Sequence, residues 1–520
     1  MHTILPFLLA MIAAVVLLEM WAARLRIAYP ILLVVAGLLI SFIPGLPAVK
    51  VDPDLIFFIF LPPLLFEASW TVSFKEMLKW WRIISSFAFL VVFFTALSVA
   101  VVANHYLPGF SLALGFLLGG IVSPPDAVST GAITEFVKIP RATSAILEGE
   151  SLLNDASSLI IFRFALVAVG TGQFFWQQAA GTFVWMIIGG AGIGLLLAWF
   201  FVQAHKRLPT TASSDIALTL IEPYLMYWLA ERLHCSGVLA VVSGGLFMSA
   251  RRLTFLSSSS RLSGYSVWDS LVFILNGIVF LIIGLELPEI VEGLRSQGTP
   301  LHTAIGYGVL ITGVLIAARI ISSYVAMVAT FIFRPSVAPR LRNRAFLTPL
   351  LLGWTGMRGV VSLAAALAIP VALDDGRPFP HRNLILFITF IVILLTLVVQ
   401  GLTLPFLIRR FRPFDGLATD DRDRDILVKI RDDLKNHTHD FLASRVDPEH
   451  REKLLKMWEE RSKTTEGSGM DEKKKALFLE LLDSQRRFLS ELNSDPDIDE
   501  GVIRAQLYRI DLEEERLKVN

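Results

Sequence analysis

Apolar runs of about twenty residues, divided by short clusters of proline, glycine and charge, follow one another along the chain as far as residue 410. Each run matches the ~20 residues that a helix needs to cross a hydrocarbon layer. Dividing the chain at those clusters predicts about thirteen spans, with the division around Glu231 to Ser236 the least distinct. Beyond Phe411 the pattern changes to amphipathic stretches such as KKKALFLELLDSQRRFLSEL (Lys473 to Leu492), with a TTEGSG break at Thr464 to Gly469. The predicted fold is an all-α polytopic membrane protein, with residues 1–410 as the transmembrane domain and 411–520 as a helical tail.

Composition agrees, with 54% hydrophobic and 18% charged residues. A net charge of +1 points neither to nucleic acid nor to an acidic partner, and the single cysteine, Cys235, allows no internal disulfide. The first apolar stretch begins at Ile4 with no basic residue before it, so no cleaved leader is expected. Charge is concentrated in the tail: from Phe411 onward there are 27 acidic and 21 basic residues, 48 of the chain's 93. Counting Arg412 just past the last span, nineteen Lys and Arg fall on one set of alternate loops, among them Arg24, Lys79, Arg261 and Arg409. The other set holds five: Lys50, Arg232, Arg295, Arg377 and Arg382. That asymmetry places the N-terminus outside and the tail in the cytoplasm.

Several charges interrupt the spans themselves. The stretch EGESLLNDASSLIIFRFALV (Glu148 to Val167) puts Glu150, Asn154, Asp155 and Arg163 inside one of them, and Glu67, Asp126, Glu222, Arg319 and Arg358 sit in others. Ionisable groups are costly in lipid and mark functional cavities. Arg163, eight residues after Asp155, is read either as tuning that carboxylate or as pairing with Glu222; Arg319 is read as snorkelling.

Two spans are built to break. In LALGFLLGGIVSPPDAVSTGA (Leu112 to Ala132), Pro124 and Pro125 remove backbone donors, and unwound backbone at membrane depth must line a cavity. The freed carbonyls and the Asp126 carboxylate make a hard-oxygen site for a small cation. In LLGWTGMRGVVSLAAALAIP (Leu351 to Pro370), three glycines loosen the helix around Arg358. The second break lies seven spans after the first, an odd offset that gives opposite orientations and so points to inverted repeats with a site near the midplane. Ser151 and Asp155 are four apart and share a helical face, with Asn154 beside them. Asp126 and Asp155 are therefore the expected ion-binding pair, at which a proton and a cation compete for the same oxygens.

SPPDAV (Ser123 to Val128), EGESLLNDA (Glu148 to Ala156), LPPLLFEA (Leu61 to Ala68) and GMRGVVSLA (Gly356 to Ala364) resemble the signature segments of the monovalent cation/proton antiporters, specifically the NhaP-type branch related to eukaryotic sodium/proton exchangers. The resemblance covers essentially the whole membrane part. It implies exchange of Na+, or alternatively K+ or Li+, for H+ by alternating access in a homodimer of the bacterial inner membrane, without a cofactor. It implies that Asp126, Ser151, Asp155 and the Pro125 carbonyl coordinate the cation, with Asp155 the principal proton acceptor. It further implies that Asn154 and Glu67 form a hydrogen-bonded support, and that Glu150 pairs with Arg358 to hold the second broken helix. The Asn-Asp pair resembles the electroneutral branch. Where many members have threonine before the aspartate and proline after it, this chain has Pro125 and Ala127, which leaves the choice of cation open.

Two other classes fit parts of the pattern. Paired intramembrane aspartates also describe an aspartyl protease, but that reading expects Gly-x-Gly before one aspartate, where this chain has Ser-Pro-Pro. A cation channel would conduct without an obligatory counter-ion. In the tail, His437, His439 and His450 are the expected pH-responsive groups of a regulatory segment.

Overall fold

The computed structural model describes residues 4–25, 27–42, 53–126, 141–172, 176–296, 298–333, 347–373, 376–411, 419–461, 472–495 and 498–519. The TTEGSG break, Ala127 with the rest of the first interrupted span, and several loop cations (Arg26, Lys50, Lys138, Arg334 to Arg344, Arg412) lie outside the described residues.

The membrane part begins with α1 (Ile4–Leu25), α2 (Tyr29–Ile40) and α3 (Pro53–Thr71). Next, α4 (Phe74–Ser85) runs through a π-helical turn (Ser86–Val91) into α5 (Val92–Tyr106), followed by α6 (Leu112–Val122), α7 (Arg141–Thr171) and α8 (Trp176–Arg207). The chain continues through α9 (Ala212–Arg232), α10 (Gly237–Phe255), α11 (Ser258–Leu285), α12 (Leu287–Ser296) and α13 (Leu301–Phe333). The second interrupted helix is α14 (Leu347–Trp354) plus α15 (Val360–Leu367); α16 (Arg382–Leu395) then passes through a π-helical turn (Thr396–Gln400) into α17 (Gly401–Phe411). The tail supplies α18 (Thr419–Arg445), α19 (Pro448–Arg461), α20 (Glu472–Leu492) and α21 (Glu500–Val519). No strand occurs among the described residues; one isolated bridge joins Ala372 and Pro378.

Local chemistry sets the helix starts. Ser73, Ser111, Ser236 and Ser257 each cap the backbone N–H three residues on, and Thr211 with Ser214 forms a reciprocal capping box. Among the described residues, eight helices are long and apolar enough to cross a membrane, with Tyr29–Ile40, Phe58–Thr71 and Leu112–Val122 as shorter apolar ones. The count of thirteen spans therefore still rests on the sequence pattern. Only 17% of the α1 window and 22% of the α8 window are buried, against 72% along Arg382–Arg410, so α1 and α8 are peripheral and α16–α17 central. Close helix pairs meet through small residues: Gly115 and Gly119 of α6 lie on Ala100 and Ala96 of α5, and Gly194 of α8 lies on Ala240 of α10.

Two hydrophobic cores result. One is built on α5, α6, α11, α13, α15 and α16; the other on α3, α8, α9 and α10. The helix α7 belongs to both: Phe162 and Ala165 pack in the first core, Leu152 and Ala156 in the second. The polar residues of Glu148 to Val167 thus sit on a helix shared by the two cores, as α3 also is through Phe60 and Leu61. The tail has its own core around Phe478, Leu481, Leu489, Ile503 and Ile510, and α21 packs against α11.

Candidate cation and proton site

The first helix break follows from proline chemistry. α6 ends at Val122, and Pro124 and Pro125 carry no N–H to continue it. The chain reaches Asp126, whose backbone N–H donates to the Met357 carbonyl at 2.7 Å. Met357 lies between α14 and α15, so the two interrupted segments meet backbone to backbone. Arg358 fastens the crossing. Its Nε donates to the Val122 carbonyl at 2.7 Å and its Nη2 to the Ser123 carbonyl at 3.2 Å, and Nη1 bonds the Gly356 carbonyl. These are the orphan carbonyls of a helix C-terminus, and a cation there also complements the helix dipole. The Arg358 backbone N–H donates to Thr396 Oγ1 at 3.2 Å, from the π-helical turn of the central helix.

A side chain at Gly359 would have its Cβ inside the Asp126 carboxylate, so glycine is required for that carboxylate to lie at the start of α15. The N-terminal end of a helix favours a negative charge. Facing this crossing from α7 are Ser151, Asn154 and Asp155, which are 8%, 0% and 7% exposed. The Asn154 amide donates to the Pro125 carbonyl at 3.4 Å, tying α7 to the broken helix, and its own Oδ1 has no partner among the described residues. Asp126 is the charged group that acts on Asp155. The structure thus brings Asp126, Pro125, Asn154 and Asp155 together, with Ser151 one turn from Asp155 on the same helix.

Four sequence expectations about partners are corrected. Glu150 does not pair with Arg358: it closes a two-point ion pair with Arg319 of α13, at 2.7 and 3.1 Å. Gly356 explains why both arginines fit, since a Cβ there would meet the side chains of Arg319 and Arg358. Arg319, read as snorkelling, is 3% exposed and held inside the protein. Arg163 tunes neither Asp155 nor Glu222. It bonds Glu231 at the far end of α9, because two turns of α7 carry it beyond the crossing. Finally, Asn154 bonds Pro125 rather than Glu67. Ser69 fills the space left by Gly245 of α10, and Glu67, two residues earlier and about 200° around the helix, lines a cavity with Asp215, Trp268 and Asp269 instead.

One buried group escaped the sequence reading. His205 sits between Asp215 and Glu222, at 2.8 and 2.9 Å. His-Lys-Arg at the end of a span reads as a snorkelling basic cluster, and the one available signal was the seven-residue spacing of Asp215 and Glu222 on a single helical face.

Among the described residues no group of three His, Cys, Asp or Glu side chains converges as on a tightly held metal. The sodium/hydrogen exchanger transmembrane profile matches residues 9–410. The chain belongs to the sodium/hydrogen exchanger family. An uncharacterized Na(+)/H(+) exchanger of Mycobacterium tuberculosis is 31% identical, over 98% of this chain and 95% of that protein. The sodium, potassium, lithium and rubidium/H(+) antiporter of Bacillus subtilis is 33% identical over 73% of this chain and 58% of its own length. In fold the exchanger resembles the sodium proton antiporter MjNhaP1 from Methanocaldococcus jannaschii, with a TM-score of 0.61 at 19% identity, over 78% of this chain and 97% of that one. The family expectation from the four motifs holds, and with it a multi-pass membrane transporter rather than an enzyme.

Proposed function

We propose that this exchanger moves one monovalent cation against one proton per cycle, with Asp126 and Asp155 as the carboxylates for which they compete. The observation that carries the reading is the crossing itself: Asp126, the Pro125 carbonyl and the α7 face of Ser151, Asn154 and Asp155 meet where two interrupted helices contact each other. Each ligand removes one of the two negative charges and leaves the site at −1, so the loaded protein reorients with either and the empty, doubly charged site does not. Alternating access has a mechanical basis in α7, which packs in both hydrophobic cores. Na+ is the first cation to test, with K+ and Li+ beside it. The breadth printed in the name of the Bacillus subtilis relative supports trying all three. Asn154, rather than a third carboxylate, makes the cycle electroneutral.

The tail lies in the cytoplasm of a bacterial cell, the membrane is the inner membrane, and the protein works as a homodimer. In support of the orientation, the tail contacts Lys75, through the Asp495 and Ile498 carbonyls, and Arg261, through Asp511 of α21, both from the positively charged set. The test is proton movement in proteoliposomes under an imposed gradient of each alkali cation in turn. Counter-movement of protons that is abolished by Asp155→Asn in a folded protein is the expected result. No proton movement with any of the three cations overturns exchange; a wild-type rate in Asp155→Asn overturns the site.

A further inference from the structure

Apart from the crossing, the membrane part buries a second cluster of titratable side chains. His205, in the last turn of α8, is 4% exposed, with Nδ1 2.8 Å from Asp215 Oδ1 and Nε2 2.9 Å from Glu222 Oε1. The other oxygen of Asp215 accepts from Ser260 Oγ at 2.7 Å, and Glu222 Oε2 has no partner among the described residues. Each of the two N···O contacts needs a hydrogen between its atoms, and a neutral imidazole carries only one N–H. Either the ring holds both protons between two carboxylates, or one carboxyl group donates to a neutral ring. In both cases the triad holds two protons and a net charge of −1. Losing one leaves a bare ring nitrogen against a carboxylate oxygen, and a second negative charge in a buried place.

We propose that Asp215, His205 and Glu222 form a second proton-binding site, separate from the Asp126–Asp155 pair, whose occupancy is coupled to the docking of α21. The link is the wall of a cavity of about 320 Å³ that Asp215 shares with Ser260 and Arg261. Arg261 holds α21 through a two-point ion pair with Asp511, and Ser258 beside it accepts from Lys518 and donates to Glu515 of α21. With its proton in place, the triad leaves Asp215 satisfied by His205 and Ser260. Without it the one remaining N–H serves the more deeply buried Glu222, and Asp215, left with the Ser260 hydrogen bond alone on the wall it shares with Arg261, competes with Asp511 for that guanidinium.

The other charges around the histidine do not replace this contest. Lys206 and Arg207 follow it on α8, Arg252 of α10 bonds Tyr265, and Glu67 and Asp269 face the cavity from α3 and α11. Glu222 and Asp215 are the charges that act on the ring, and Phe255 covers it at 5.2 Å. Because docking favours the protonated triad, the triad's proton favours docking, and raising the pH loosens α21.

The test is amide hydrogen exchange of residues 500–519 in the full-length protein, corrected for the intrinsic pH dependence, between about pH 5 and 9. Wild type is expected to lose protection in this helix as pH rises, and His205→Gln and Glu222→Gln are each expected to flatten the profile. Asp155→Asn is expected to keep the wild-type profile, which separates this site from the exchange site whatever the transport assay gives. A flat wild-type profile, or a His205→Gln profile that follows wild type in a folded protein, overturns the proposal.

Discussion

At the scale of single residues, the charges buried near the crossing divide into two fastenings. Glu150 and Arg319 form a closed ion pair, whereas Arg358 spends its donors on carbonyls of the broken helices. Removing one partner of a buried pair strands the other at about 3 kcal/mol or more. Arg319→Gln is therefore expected to lower thermal stability, and Glu150→Gln added to it to restore part of the loss. A double-mutant cycle checks the assignment: the Glu150–Arg319 coupling energy should exceed the Glu150–Arg358 coupling, and the reverse order would contradict the partners described here.

At the scale of elements, the crossing depends on what each interrupted helix lacks. Proline takes donors from the first, and glycine takes side chains from the second so that Asp126 can approach α15. Gly359→Ala drives a methyl group into the Asp126 carboxylate, at a backbone position whose φ of −153° and ψ of −130° lie outside both the extended and the helical regions. The expected outcome is a rise in KM for the cation of about tenfold, corresponding to ~1.4 kcal/mol of binding, with a smaller change in melting temperature. An unchanged KM would mean that Asp126 does not hold the ion where it now lies. The π-helical turn at Thr396–Gln400 belongs to the same device, since it carries the hydroxyl that receives the Arg358 backbone N–H.

At the scale of the molecule, the tail is fastened rather than loosely appended. Arg504 donates to the Thr71 and Val72 carbonyls, Lys75 to the Asp495 and Ile498 carbonyls, and Arg261 to Asp511. Ending the chain after Arg412 is expected to leave antiport in proteoliposomes but to shift its pH dependence, and loss of all transport would place the functional boundary further along the chain. Within the tail, burial opposes ionisation of Glu514, but hydrogen bonds and charge from Lys518 and Arg486 outweigh it and hold the carboxyl at about 2 against an ordinary 4.5. A carboxyl lowered on folding contributes stability above its unfolded value, and that contribution is lost as pH falls through the folded one. The α20–α21 contact, followed by cross-linking between the two helices, should hold down to about pH 4.5 and weaken toward 2; Glu514→Gln should remove that acid step.

The sequence by itself determined the class of the protein, its breaks and its family. Length and apolarity of the runs report helices in lipid because hydrocarbon leaves backbone groups no other partner, and proline pairs and glycine triplets are local events that need no tertiary context. The four motifs pointed to Asp126, Ser151, Asn154 and Asp155 through their resemblance to the family's signature segments. Which buried charge meets which was decided only by tertiary structure. Two arginines on different helices could have met Glu150, and the assembled helices bring Arg319 to it while Arg358 bonds the carbonyls of the break; the placing of Ser69 against Gly245 turned Glu67 away from Asn154. His205 shows the limit most plainly. Its spacing to Asp215 and Glu222 crosses a helix turn, and only the packing of α8 against α9 made a three-residue proton site from what the chain presents as the basic end of a span.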